Sequence, residues 1–525
     1  MGNPPKLVLC VIDAMAPAML ERAVAEGAAP MLETLMQRGR YIPDCVAAFP
    51  SVTPVCAASI VTGVAQDEHR IPGMNWFDRA EHRYVEYGSS FRAAQRFGIA
   101  RQLTDTVYNM NRAHLSADTL TVFECLDDAE VRTAGTTYLM YRGRHRHEPQ
   151  RDTPLTRFAA RLMRHPVMGP RELFYADIFA SRDTGCRSGL GMPGVRDRHS
   201  GCVSAYMVER DLFDFLLLSL PDNDWYSHKH GPEGQVHSIA QADLQLARVF
   251  NAAGGIDRFL EEHAVIAMAD HSQAPVESTI ALQDELAELG VLGPKGGTEG
   301  GQGGGSGGAS GSGPRIAVCP SQRAAMVYAL NEAERDAMRA SVVTRTLALE
   351  GVDLVLWLER DAHDVPREAV IASGERGELR FAPGGAAINQ GAVLTNPSNP
   401  SNPSSAVTDP RGRKWSIEGE LATLDARVED GSLLTPTYPD ALARVWSALT
   451  CPTSGEVLLS AAPGYEFLDW GGAAHVGGGS HGSLHASDSL GALVLCGIAP
   501  TEEPAQWAIR DIAPLVRRHF GLGPG

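Results

Sequence analysis

Three short apolar runs share one pattern, an unbroken hydrophobic stretch that gives way to an acid. "KLVLCVI" (6–12) ends at Asp13, "FDFLLLSLP" (213–221) leads to Asp224, and "AVIAMA" (264–269) ends at Asp270 and His271. Runs of this length that do not alternate with polar residues fit strands buried on both faces, which predicts a mostly parallel central sheet sandwiched by helices. Helical patterns lie between them at 15–27, at 54–62 behind Pro54, and at 236–252. In open α/β sheets ligands gather beyond the carboxyl ends of the strands, so acids just past three such ends stand where chemistry is expected.

Two stretches break the pattern. Twelve of the 21 residues in 293–313 are Gly, a flexible-linker composition that cannot bury a core. "NPSNPSNPSS" (396–405) is a second low-complexity loop. Helix- and strand-like patches between and around them read as an inserted cap subdomain. The expected division is a catalytic core over 1–290 and 456–525, a Gly-rich insertion over 291–314 and a cap over 315–455. The basic cluster "RGRHRHEPQR" (142–151) reads most simply as a solvated loop, with the lining of a phosphate entrance as the alternative.

With 46 basic and 63 acidic residues the chain carries a net charge of −17, which argues against long nucleic acid as a partner but leaves room for a small phosphate compound. No apolar run approaches the roughly 20 residues that span a bilayer, so no membrane partner is expected. Nine scattered cysteines without a CxxC argue against a disulfide framework and a thiolate zinc site. Together with a start that lacks the layout of a signal peptide, they point to the cytoplasm.

Within 48–63, "AFPSVTPVCAASIVTG", Pro54 suits the first helical position and Thr53 the N-cap. Thr53 is either a plain cap or a nucleophile. A bare hydroxyl needs activation, and no base neighbours it in sequence, so the second reading requires a metal. Candidate ligands are Asp13, Asp224, His228, Asp270, His271 and His481, with His230 and His485 as spares. Asp224 and His228 fall in "PDNDWYSHKHGP" (221–232), read as a loop at a strand end. Each alone is ordinary surface or cap. As a set, mixed imidazole and carboxylate donors suit zinc, with manganese as the alternative, and suffice for two divalent ions.

The acid after the first strand, Thr53-Pro54 nine residues before Thr62-Gly63, "DWYSHKHGP", "ADHS" and "GSHG" occur in that order. The ordered set resembles the alkaline phosphatase superfamily, in its nucleotide pyrophosphatase/phosphodiesterase-like branch. The resemblance implies an alkaline phosphatase-like fold and two metal sites. One would be held by Asp13, Thr53, Asp270 and His271, the other by Asp224, His228 and His481. His481 is preferred to His485 because it stands in a Gly-x-His-Gly context, and His230 is left outside. The branch places an Asn near position 74 to hold a phosphate oxygen; this chain has Met74, so the role falls to Asn75. Cys56 in place of the branch's Asn, Trp225 and Tyr226 in the metal segment, and "DHSQ" where "DHGM" is usual bear on substrate identity.

The implied activity is two-metal hydrolysis of phosphodiester or pyrophosphate bonds in small molecules, through a covalent phospho-threonine at Thr53. Alternatives with the same ligands are a phosphomonoesterase, a phosphonate hydrolase and a phosphomutase. A binding protein that keeps the metals without catalysis is the rival of another class.

Overall fold

The strand Lys6–Ile12 sends alternate side chains into two separate apolar layers. Val8, Cys10 and Ile12 meet the helices Pro17–Ala25, Pro30–Arg38, Arg196–Glu209 and Gln235–Ala252. Leu7, Leu9 and Val11 face the helices Thr53–Thr62, Val122–Asp128 and Ile512–His519. A strand with no solvated face has no reason to alternate in polarity, which is why it reads as a continuous apolar run. These relations come from a computed structural model that describes residues 4–295, 313–384, 405–498 and 503–523. The Gly-rich stretch and the Asn-Pro-Ser loop lie for the most part outside the described residues.

The central sheet has eight strands in the order Arg40–Val46, Leu490–Cys496, His263–Met268, Lys6–Ile12, Phe215–Leu220, Thr133–Thr136, Glu172–Tyr175 and Phe179–Ala180. It is mixed. The pairs from His263–Met268 across to Glu172–Tyr175 are parallel, while the three remaining pairs, at the two edges, are antiparallel. Register then does the positioning. Val11 pairs with Met268 and Ile12 with Leu220, so Asp13, Asp270 and the segment after Leu220 all emerge at one end of the sheet.

That segment is a helix, Asp222–His230, where the sequence suggested a loop. Its acids Asp222 and Asp224 lie in the first turn and His228, Lys229 and His230 in the last, which complements the helix dipole. Gly231, at φ 76°, ends it in a conformation that Gly adopts without penalty. Asp224 and His228 are therefore one turn apart on one face.

Among the described residues, strands between 316 and 461 build a second sheet of ten, antiparallel but for the pair Ser405–Thr408 and Ser432–Leu434. The strand Val457–Ala461, beyond the boundary expected at 455, sits inside this sheet between Ala324–Ala329 and Val352–Arg360. Its apolar face joins the layer that also covers Leu7 and Leu9, so the two sheets share one core. One disulfide, Cys186–Cys202, is present among the described residues and corrects the cysteine reading, which argued against a disulfide framework. Among the described residues no helix is long and apolar enough to cross a membrane.

Candidate metal centre and nucleophile

Thr53 is the first residue of its helix rather than its cap. Val52 occupies the N-cap position and no side chain caps the helix. Freed from that role, the Thr53 hydroxyl lies 3.3 Å from Nε2 of His271. The positive end of the helix is directed at the same place, a favourable field for an anion or an alkoxide.

Around this hydroxyl the fold gathers six of the other candidates. His271 Nε2 stands 3.7 Å from Asp13 Oδ1 and 3.6 Å from Asp270 Oδ2. His228 Nε2 is 3.4 Å from Asp224 Oδ2, and His481 Nε2 is 3.4 Å from Asp224 Oδ1. The rings of His271 and His481 stack with centroids 3.8 Å apart, which joins the two halves. Ligand atoms of Asp224, His228 and His481 lie within 4.8 Å of one another, as do those of Asp13, Asp224 and His271. Asp224 thus reaches both groups, where the sequence assigned it to one. Asn75 stands apart. Its Nδ2 donates to the Val85 carbonyl at 2.9 Å and its backbone N–H to Ser321 at 3.3 Å. His230 is exposed and packs on Tyr226, and His485 Nδ1 lies 3.0 Å from the Ser487 hydroxyl.

The other nitrogen of each imidazole is spoken for by backbone. Nδ1 of His228 faces the Gly479 carbonyl at 2.7 Å, that of His481 the Ser51 carbonyl at 2.7 Å, and that of His271 the Ser272 carbonyl at 3.1 Å. A carbonyl can only accept, so each ring carries its proton on Nδ1 and turns an Nε2 lone pair inward. Ser51 stitches the halves together: it accepts from Gly482 N–H at 3.1 Å and donates to the Ser483 carbonyl at 3.0 Å.

Electrostatically the unrelieved centre is frustrated. Burial, then the neighbouring Asp270 and Asp224, push the Asp13 carboxyl well above the ordinary range, and its Oδ1 is buried without a hydrogen-bond partner. Burial works against ionisation of Asp224 too, yet His228, His481 and His271 hold its carboxyl well below the usual value. Burial and the adjacent His271 keep His481 neutral far below the ordinary imidazole range. This donor set fits divalent cations. Two ligand atoms that share one tetrahedral ion at about 2.0–2.2 Å lie roughly 3.3–3.6 Å apart, close to the spacings found here. A cation would also satisfy the orphaned Asp13 oxygen and cancel the repulsion among the buried carboxylates of Asp13 and Asp270 and the half-buried one of Asp224.

Sequence reasoning missed several neighbours. Gln273 donates Nε2 to the Asp224 carboxylate, Gln322 Nε2 stands 3.5 Å from His228 Nε2, and His475 stacks on His228 at 4.1 Å. Buried Asn223 donates to the Asp13 carbonyl at 2.7 Å. Only Gln273 left a signal, as the last residue of the unusual "DHSQ".

A family model described as type I phosphodiesterase / nucleotide pyrophosphatase matches residues 7–370. No curated protein matches the chain by sequence. Among solved structures, phosphonoacetate hydrolase from Sinorhizobium meliloti 1021 in complex with phosphonoformate is 16% identical, with 98% of this chain and 96% of that one covered at a TM-score of 0.53. Murine ectonucleotide pyrophosphatase / phosphodiesterase 5 is 10% identical, with 98% and 95% covered at a TM-score of 0.54. The human counterpart is 11% identical, with 99% and 96% covered at a TM-score of 0.53. At these identities the likeness is one of fold.

Proposed function

The chain belongs to the type I phosphodiesterase / nucleotide pyrophosphatase family, and from that premise we propose that it hydrolyses phosphodiester or pyrophosphate bonds of small molecules with two divalent ions and a covalent phospho-threonine at Thr53. The observation that carries the reading is the inward convergence of three Nε2 atoms on Asp13, Asp224, Asp270 and the Thr53 hydroxyl. Asp13, Asp270, His271 and Thr53 would hold one ion, and Asp224, His228 and His481 the other, with zinc as the first expectation and manganese as the second. When bound, such ions supply Lewis acidity and charge neutralisation at phosphoryl oxygens.

The protein's own residues do the rest. Thr53 presents its oxygen at the start of a helix whose free N–H groups favour developing negative charge. The Thr53 oxygen, its proton lost to solvent, bonds to phosphorus as the bond from phosphorus to the leaving oxygen breaks and that oxygen takes up a proton. Water then attacks phosphorus, the Thr53 ester bond breaks, and the phosphorylated product leaves as the hydroxyl is reprotonated. The Ser51, Ser272 and Gly479 carbonyls keep the three rings oriented. Asn75, whose Nδ2 keeps a second hydrogen beyond the one given to Val85, is the proposed holder of a non-bridging oxygen. The sheet whose strands lie between 316 and 461 is the proposed layer above the metals, since Gln322 at its edge reaches His228.

The test is steady-state hydrolysis of bis-p-nitrophenyl phosphate, p-nitrophenyl phosphate, phosphonoacetate and a nucleotide sugar, with zinc and with manganese, for the parent and Thr53→Ala. The expected result is highest turnover on a diester or pyrophosphate, a loss of at least about 10³-fold in Thr53→Ala, and metal still bound there, because Asp13, Asp270 and His271 remain to hold that ion. Equal rates in the two proteins would remove Thr53 from the chemistry, and a preference for phosphonoacetate would reassign the substrate class.

A further inference from the structure

The segment 151–171, "RDTPLTRFAARLMRHPVMGPR", has five arginines and one acid in a chain of net charge −17. Its helix, Pro154–Leu162, is held by a reciprocal cap between Thr153 and Thr156 and by Ala159 and Ala160, which are buried beneath it. Met163 and Val167 continue that anchor into a satellite apolar cluster with Tyr108, Tyr175 and Phe179. The opposite half of the helix is unusual for a surface. Leu155, Phe158 and Leu162, spaced i, i+3 and i+7, form one stripe that is 48%, 61% and 54% exposed. Arg157 and Arg161 form the stripe beside it, and both are exposed.

The charges here have no acid partner, although Arg164 Nε donates to the Arg161 carbonyl at 2.6 Å. Arg151, Arg157, Arg161, Arg164 and Arg171 make no ion pair among the described residues. The three acids nearest in sequence are already taken, Glu148 by Arg146, Asp152 by Arg187 and Glu172 by Arg182. Arg142 and Arg144, upstream, are tied to Glu124. In a chain with more acids than bases, arginines without an acid partner, two of them on the helix beside three exposed large apolar side chains, need a partner that is both anionic and apolar.

We infer that this helix docks the protein on an anionic lipid surface, with Leu155, Phe158 and Leu162 entering the headgroup–acyl boundary and the flanking arginines at lipid phosphates. A helix with an apolar stripe and an arginine flank is built to lie in such an interface. Three apolar side chains are far less than the roughly 800 Å² that each partner of a stable protein complex buries. A second copy would set arginine against arginine. A nucleic acid would have no use for the leucines. The net charge elsewhere on the protein acts weakly here, because salt screens interactions between exposed charges beyond about 8 Å at physiological ionic strength.

The experiment is co-sedimentation of the full chain with vesicles of phosphatidylcholine alone and of phosphatidylcholine with phosphatidylglycerol. The proteins are the parent, Phe158→Ser/Leu162→Ser and Arg157→Glu/Arg161→Glu, with melting temperatures confirming that the variants fold. Expected are selective binding to anionic vesicles, at least about tenfold weaker partition in both variants, and release of the parent at roughly 0.5 M salt. Parent binding no stronger than to phosphatidylcholine alone would overturn the inference. So would full binding by Phe158→Ser/Leu162→Ser, which would assign the arginines to a soluble polyanion, or a dimer of the parent that this variant dissolves.

Discussion

Arg323 pairs with Asp488 with both side chains wholly shielded from solvent. Arg323 stands just before the strand Ala324–Ala329 of the second sheet, its N–H donates to the His481 carbonyl at 2.9 Å, and Asp488 accepts from Ser483 N–H at 2.9 Å. The pair therefore clamps the segment that carries His481 onto the second sheet, and it links the metal centre to a region some 160 residues away in sequence.

Removing one partner of such a pair leaves a buried, uncompensated charge. Arg323→Met is expected to lower stability by about 3–5 kcal/mol, read as a fall in melting temperature. Arg323→Met/Asp488→Leu should recover most of that loss; a double variant as weak as the single would show that the charge is not the cause.

Gly482 follows His481 at φ 121°, and a Cβ there would stand 2.9 Å from the Ser321 carbonyl and 3.1 Å from Arg323 N. Gly482→Ala should cost about 2–3 kcal/mol through strain and collision, and displace the adjacent His481. Thermal melting and metal content by elemental analysis check both halves. A variant as stable and as metal-rich as the parent would refute the placement of this loop.

The sign of an Asp13 substitution should depend on metal. In chelated protein Asp13→Asn removes a buried carboxylate from beside Asp270 and Asp224, and the melting temperature should rise or hold. In metal-replete protein the same change removes a ligand and should lower it. Asp224→Ala, which reaches both ligand groups, should lose at least roughly half of the bound metal. Parent stoichiometry in Asp224→Ala would dismiss the ligand set.

His69 is buried and its pKa is lowered to about 3, because burial disfavours the charged ring. Its Nδ1 accepts from Ile71 N–H at 3.1 Å, so a protonated ring would set donor against donor. The unfolded chain takes a proton near the ordinary value of about 6.5 while the folded one does not. The contribution is therefore full above that pH and is lost as pH falls towards 3, by about 2 kcal/mol at pH 5. His69→Gln should remove about 2 kcal/mol from the loss of stability between pH 8 and 5, read by denaturant unfolding at the two pH values; an unchanged loss would place the acid sensitivity elsewhere.

Local physics was legible in the sequence. The strands at 6–12 and 263–268 and the helices at 53–62 and 235–252 follow from unbroken apolar runs and helical spacing, because burial of a strand or a helix face is decided within a dozen residues. The candidate side chains were legible as types and as an order along the chain. That Asp222–His230 is a helix was not, since its apolar content is too low to show a period, and tertiary packing and a Gly at its end determine it. Nor could the sequence show that Asp13 and Asp270 stand level. That depends on the register between strands more than 250 residues apart. The backbone carbonyls that aim three imidazoles and the pairing of Arg323 with Asp488 are likewise products of assembly. A carbonyl is present at every residue, and only the folded chain selects which one a ring nitrogen meets.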